Sequence, residues 1–561
     1  MKRASRTSRW FATGAAVAVA MAAMVPVSAA VAGGTSTSYK GSPDSGTTPD
    51  HGESPEQPSE DFAGQYPVVT TDKGDVQGEA RSMVTSYKGI PFAAPPVGDL
   101  RWKAPAEADA WTGVLDGTEF GGSCTQGTGW DPGYEEPTLN EDCLYLNVYR
   151  PSNDSADLPV FVWNHGGGNV AGAGRDTNPD KFVTRSDVVY VTINYRVGAM
   201  GWLDTSELEA DNPDGSAGNF GLLDQQAALR WIETNIGAFG GDANNVTLAG
   251  QSAGASNTCA QLASPGAEGL FDRAILQSGG CSARTPEVAQ ESGAQFAEAL
   301  GCTDSATQLE CLRNATPAEV LAAQTEYRQS GPVAGNEVLP VDPLELLKAG
   351  ELTELPVIVG GTSDESQQSV FGTYDYVGNP ITEASLSELI TTTYPESAAD
   401  VAAAYPVANY VSPTVAWGDI QSDQRACRDQ TLRERLSANT DTYAYEFAEQ
   451  DGPPFTSIWR LGVDYPFGAT HVNDLGYLWD YLGTSLPFST DQVSLSNQMI
   501  SYWSSFAING APTVEYAPEW PVFETDGQLL QFVAPSAEVV STDVVAAEHG
   551  CELWDEVSPA P

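Results

Sequence analysis

The sequence predicts an α/β protein built on a mostly parallel sheet that is covered on both faces by helices. Three observations predict it. Short runs rich in β-branched and aromatic residues alternate with longer segments whose apolar residues fall at helical spacing. The short runs are continuously apolar rather than alternating, as strands buried on both faces must be. The chain is also long and apolar enough to fill a large core, with 561 residues of which 41% are hydrophobic.

The elements follow in order. Lys2, Arg3, Arg6 and Arg9 precede an apolar stretch that ends in the small residues Ala30, Val31 and Ala32. This pattern predicts a secretory signal over residues 1–32. Residues 33–65 are rich in Ser, Thr, Gly, Pro and acid and lack the apolar content to pack, so a disordered spacer is expected. From residue 66 to 561 the composition is globular, with no internal repeat and no second linker, and a single catalytic domain is expected there. Within it, "LPVFVWNHGGGN" and "DVVYVTINYR" begin with strand-like runs, and "FGLLDQQAALRWIETNIGAFGG" has helical spacing. "NVTLAG" is a buried strand, "AGASNTCAQLA" a helix of small residues, and "RAILQSGG" and "LPVIVGG" are further strands.

One junction carries chemistry. In "LAGQSAGAS", Gly250-Gln251-Ser252-Ala253-Gly254 fits G-x-S-x-G, between a strand and a helix. A serine on such a turn is a nucleophile candidate, because the helix start directs N–H groups at a developing oxyanion. Upstream, the glycines of "NHGGGN" end another strand and bare their N–H groups in the same way. The order of the two motifs is that of an α/β-hydrolase fold. The chain has four histidines, His51, His165, His471 and His549. His51 is in the spacer and His165 in the glycine motif. The base must follow the serine, which leaves His471 and His549. His549, beside Cys551, suits a surface or disulfide-flanking role equally well, so we take His471. The acid stays open between Asp364 and Glu365, adjacent residues just after a buried strand.

Net charge is −49, so nucleic acid and anionic membranes are excluded as partners. No later apolar run is long enough to span a bilayer. No His/Cys cluster has metal-site spacing, so neither metal nor cofactor is expected. The eight cysteines of a secreted chain are expected to form disulfides.

The chain resembles the type-B carboxylesterase and cholinesterase family. The likeness rests on "YKGIPFAAPPVGDLRW", "NEDCLYLNVY", "NYRVGAMGWL", "NFGLLDQQAALRWI", "GQSAGA", "AILQSG" and "YWSSFAINGAP", spread over most of residues 66–525. It implies an α/β-hydrolase with Ser252 as nucleophile, His471 as base and Glu365 as acid. It implies Gly167, Gly168 and Ala253 as oxyanion-hole donors, and the disulfides Cys124–Cys143 and Cys302–Cys311. That leaves Cys259, Cys281, Cys427 and Cys551, whose pairing stays open; Cys259–Cys281 and Cys427–Cys551 are the expectation. Departures are Ser366 and Val472, each in place of a usual glycine, Asp474 in place of a glutamate, and Gln251 where cholinesterases carry a glutamate. Gln251 argues against a choline-ester preference, although Trp130 lies in the loop that holds those enzymes' choline-binding tryptophan. The same loop, "TQGTGWDPGYEEPTLNED", is short and acidic and makes a poor lipase lid. The expectation is a secreted serine esterase acting on small, soluble esters. The alternatives are a lipase, or an amide or carbamate hydrolase on the same triad. A non-catalytic adhesion homologue is disfavoured because every triad member is present.

Overall fold

The computed structural model describes residues 66–128, 137–455, 462–524 and 527–558. The expected signal, the spacer and Trp130 lie outside these residues. The central sheet has eleven strands: β1 (Glu79–Arg81), β2 (Val84–Pro91), β3 (Tyr145–Pro151), β4 (Leu158–Asn164), β5 (Val189–Ile193), β6 (Gly241–Gln251), β7 (Arg273–Gln277), β8 (Val357–Thr362), β9 (Thr442–Phe447), β10 (Gln528–Phe532) and β11 (Glu538–Ser541). Across the sheet they run β11-β10-β9-β8-β7-β6-β4-β5-β3-β2-β1. From β5 to β10 neighbours are parallel, while β1, β2 and β3 at one edge and β11 at the other pair antiparallel. The mostly parallel α/β sheet predicted from the sequence is therefore present.

The parallel strands read as continuous apolar runs because both faces are covered. Every residue of β4 and of β5 is buried. Val160 and Val162 of β4 share a core with Leu229 and Ile232 of helix α1 (Phe220–Asn235) and Cys259 of α2 (Ala253–Ala263). Their neighbours Phe161 and Trp163 point the other way, into a core with Met499 and Trp503. Those two residues lie on a long C-terminal helix, Thr490–Asn509. The period-two geometry of a strand thus feeds two cores from one run. A third helix, α3 (Pro413–Ser437), packs against β8 and β9. Near its middle Cys427 joins a smaller core with Trp417, Trp554 and Cys551.

The connectivity positions the site. The chain leaves β4 outward to β5, then returns across β4 to β6. Loops after β4 and β6 therefore border one crevice at the carboxyl ends of the strands, where α/β sheets bind ligands. The glycine loop follows β4, Ser252 follows β6, and Glu365 follows β8. No helix among the described residues is long and apolar enough to cross a membrane.

Candidate active site

Ser252 occupies the turn between β6 and α2 with φ 56° and ψ −123°. For a residue other than glycine this is a strained backbone, held only because its surroundings allow no alternative. The two flanking glycines show why. A Cβ on Gly250 would collide with the backbone of Gly254, and a Cβ on Gly254 would meet the carbonyl oxygens of Asn164 and His165. Strand, helix and glycine loop are therefore in direct backbone contact. The Ser252 N–H donates to Gln277 O at 2.8 Å, which ties the turn to β7.

The glycine loop lies against this elbow. A Cβ on Gly166 would sit 3.0 Å from Gln251 O and 3.3 Å from Ser252 Cβ. Gly167 has φ 108° and Gly168 φ 61°, which side-chain-bearing residues rarely adopt. The N–H groups of Gly167, Gly168 and Ala253 donate to no protein acceptor among the described residues. Two reciprocal amide pairs hold the loop. Asn169 Nδ2 donates to Asn257 Oδ1 at 3.0 Å, and Asn257 Nδ2 returns a bond to Asn169 Oδ1 at 2.8 Å. Gln126 Nε2 donates to Gly172 O at 3.1 Å and its Oε1 accepts from Gly172 N–H at 2.8 Å. Sequence reasoning missed both pairs, since amide partners far apart in the chain leave no local signal. Burial lowers the pKa of His165 to about 4. Its neutral ring stacks on Tyr195 at 4.2 Å and supports the loop from beneath.

His471 Nδ1 lies 2.5 Å from Glu365 Oε2. Glu365 is buried, and burial by itself would raise its pKa. The Arg425 guanidinium and His471 overcome this and hold it down to about 2. Its other oxygen, Oε1, accepts from the Thr362 N–H at 3.1 Å. Of the two acids left open by the sequence, it is Glu365 that meets the imidazole. Asp364 turns the other way: its Oδ2 accepts from the Ala469 N–H at 3.0 Å, and its N–H donates to Ala469 O at 3.0 Å. Asp364 thereby stitches the loop of the acid to the loop that carries His471. The other face of His471 meets the residue next to the serine, with Gln251 Nε2 at 3.1 Å from His471 Nε2. Glu365, His471, the Ser252 elbow and the glycine loop are thus neighbours in space.

The family that this arrangement suggests can be tested on the whole chain. The sequence profile of the carboxylesterase family matches residues 65–554. The chain belongs to the carboxylesterase family. Among curated carboxylesterase relatives, the para-nitrobenzyl esterase of Bacillus subtilis (strain 168) is 33% identical over 489 residues, covering 82% of this chain and 93% of its own. The fumonisin B1 esterase of Sphingopyxis macrogoltabida is 33% identical over 487 residues, covering 83% of this chain and 86% of its own. The human (Homo sapiens) cocaine esterase is 30% identical over 529 residues, covering 88% and 92%. A solved structure titled PNB esterase superposes with a TM-score of 0.71 at 29% identity, over 87% of this chain and all of that one.

Against that carboxylesterase background the sequence departures acquire physical meaning. Ser366 has φ −96° and ψ −8°, an ordinary helical conformation, so the lost glycine costs nothing there. Val472 is different: it keeps φ 69°, the left-handed region a glycine would fill without strain. The residue after His471 is therefore strained and fixed. Asp474 is buried, and burial raises its pKa. It accepts from Gln277 Nε2 and Tyr445 Oη, each at 2.8 Å, and so anchors the histidine loop to β7 and β9. His549 is neither at the surface nor merely beside a disulfide. It is buried, with Nδ1 2.7 Å from Asp423 Oδ1 and Nε2 2.7 Å from Glu446 Oε1. Two acidic partners, supplied by α3 and β9, explain why a chain position near the C-terminus carries a buried imidazole. The eight cysteines form Cys124–Cys143, Cys259–Cys281, Cys302–Cys311 and Cys427–Cys551.

Proposed function

We propose that this carboxylesterase is a secreted serine enzyme that hydrolyses small, soluble carboxylic esters through an acyl-enzyme intermediate. The observation that carries the reading is the short Glu365–His471 contact beside the Ser252 elbow. With its Nδ1–H held by Glu365, the imidazole presents a lone pair on Nε2. Gln251 occupies that lone pair in the resting enzyme, and substrate entry exchanges it for the Ser252 hydroxyl. Resting hydrogen bonds of this kind commonly tighten only with substrate bound.

His471 takes the Ser252 proton as Oγ attacks the ester carbonyl. Glu365 stabilises the imidazolium, and the N–H groups of Gly167, Gly168 and Ala253 receive the oxyanion. The imidazolium returns its proton to the leaving alkoxide. Water, deprotonated by His471, then releases the carboxylic acid. Four disulfides and the basic-then-apolar N-terminus support an oxidising, extracellular setting. Relatives named para-nitrobenzyl esterase, cocaine esterase and fumonisin B1 esterase support a discrete carboxylic ester as the substrate class.

Ser252→Ala is expected to lower p-nitrophenyl ester hydrolysis by about 10⁴-fold or more in a folded protein and to abolish fluorophosphonate labelling. Turnover by the folded variant at more than about a tenth of the wild-type rate would overturn the serine mechanism. Failure of the wild type to label or to turn over any ester would favour a binding protein on this fold.

A further inference from the structure

The carboxylate of Glu365 has a second cationic neighbour. Arg425, near the middle of α3, places Nη1 3.7 Å from Glu365 Oε2, the same oxygen that meets His471 Nδ1. Its Nη2 donates to Ser278 O at the end of β7, where Ser278 holds φ 53°. Its Nε faces Asp429 Oδ2, one helical turn on, at 3.9 Å. One side chain thus joins the loop of the acid, the end of β7 and its own helix. The guanidinium and the imidazole lie within about 6 Å of each other across a shared oxygen, close enough for their charges to interact strongly.

That arrangement needs a reason. A carboxylate that serves a histidine does so by attracting the imidazolium, and a second cation on the same oxygen opposes that attraction. We propose that Arg425 is a positioning residue of this site: it fixes Glu365 and, by its charge, resists protonation of His471, so that ester hydrolysis persists into acidic solution. The inference rests on the esterase reading above.

The surrounding charges fit the role. Among the described residues, Glu365 is faced by Arg425 and Asp429 from α3, by His471 and Asp474 from one loop and by Tyr445 from β9, with the Ser278 hydroxyl nearby from the turn after β7. Burial raises Asp429 to about 6, above the usual carboxylate range. At that value Asp429 still carries part of its charge over the range where an imidazole would take up a proton, so it balances Arg425 only in part there. A net charge of −49 draws protons towards every histidine of the chain, and a local cation counters that field at the one site proposed to depend on a neutral ring.

The test is the pH dependence of kcat/KM for p-nitrophenyl acetate, with active serine counted by fluorophosphonate titration, in wild type, Arg425→Gln, Arg425→Lys and Asp429→Asn. Arg425→Gln is expected to move the acid limb upward by about one pH unit, and Arg425→Lys to restore most of the shift. Asp429→Asn, which leaves Arg425 unbalanced at all pH values, is expected to move the limb downward by about half a unit. A uniform loss of kcat with an unmoved acid limb in labelled Arg425→Gln would show that Arg425 only packs, and would overturn the proposal. If Arg425→Gln does not fold, Asp429→Asn decides: a downward shift supports the proposal, and an unmoved or raised limb overturns it. A wild type without turnover or labelling overturns the esterase reading instead, and this inference with it.

Discussion

Replacing His549 with Gln is expected to destabilise the protein by about 3–5 kcal/mol near pH 6, because two buried carboxylates lose their shared cation. The geometry sets this scale. His549 is 5% exposed and lies 2.7 Å from both Asp423 and Glu446. Burial by itself would lower its pKa, but the charge of Glu446 and the hydrogen bonds to Asp423 and Glu446 outweigh it and raise the pKa to about 10. A rise of about 3.5 units from an ordinary imidazole corresponds to roughly 5 kcal/mol. Arg433, which also faces Glu446, offsets part of the loss when His549 is removed. The pH dependence follows from the direction of the shift. A raised folded-state pKa stabilises fully below about pH 6.5, and the contribution declines by about 1.4 kcal/mol per unit until it is gone above about pH 10. Glu446, held below its ordinary value mainly by His549 against the effect of burial, contributes above its ordinary range and loses that contribution in acid. Urea unfolding of wild type and His549→Gln at about pH 6 and about pH 9.5 measures the effect. The stability gap should shrink to about 1 kcal/mol or less at the higher pH. A gap that is the same at both pH values, or no gap at about pH 6, would refute the charged-clamp argument.

Other outcomes follow from the elbow and its loop. Asn257→Ala removes both bonds of the amide pair and leaves Asn169 unsatisfied, so on the proposed mechanism kcat should fall about 10- to 100-fold with KM little changed; steady-state kinetics showing an unaltered kcat would mean that the pair does not hold the glycine loop in a geometry that catalysis needs. Gly254→Ala should drive a methyl into the carbonyl oxygens of Asn164 and His165, costing about 1–3 kcal/mol and slowing fluorophosphonate labelling. Wild-type thermal stability together with wild-type labelling rates would contradict that contact.

The continuous apolar runs of β4, β5 and β6 announced a two-sided parallel sheet, because a strand buried on both faces has no polar positions to spare. The Ser252 turn was legible for a related reason: it needs glycine at fixed offsets, and such needs are written locally. The antiparallel edge strands were less legible, since β1 is three residues long and half exposed, too short for any period to show. Asp364 and Glu365 are neighbours in the same turn, and composition could not separate them; the family resemblance implied Glu365, and it is the Glu365 side chain that turns to His471. Arg425 was invisible for the same reason, one arginine on a long helix whose meaning comes from β7 and β8.

What the chain determined by itself was therefore the fold class, the elbow with its glycine loop, and a histidine downstream, because backbone geometry and apolar periodicity act over a few residues. What tertiary structure decided was how Glu365 is held against His471, how the glycine loop is pinned, that Val472 keeps a left-handed backbone, and that His549 is a buried cation. Each depends on groups brought together from distant segments, and their energies come from distance and burial, which residue order alone does not encode.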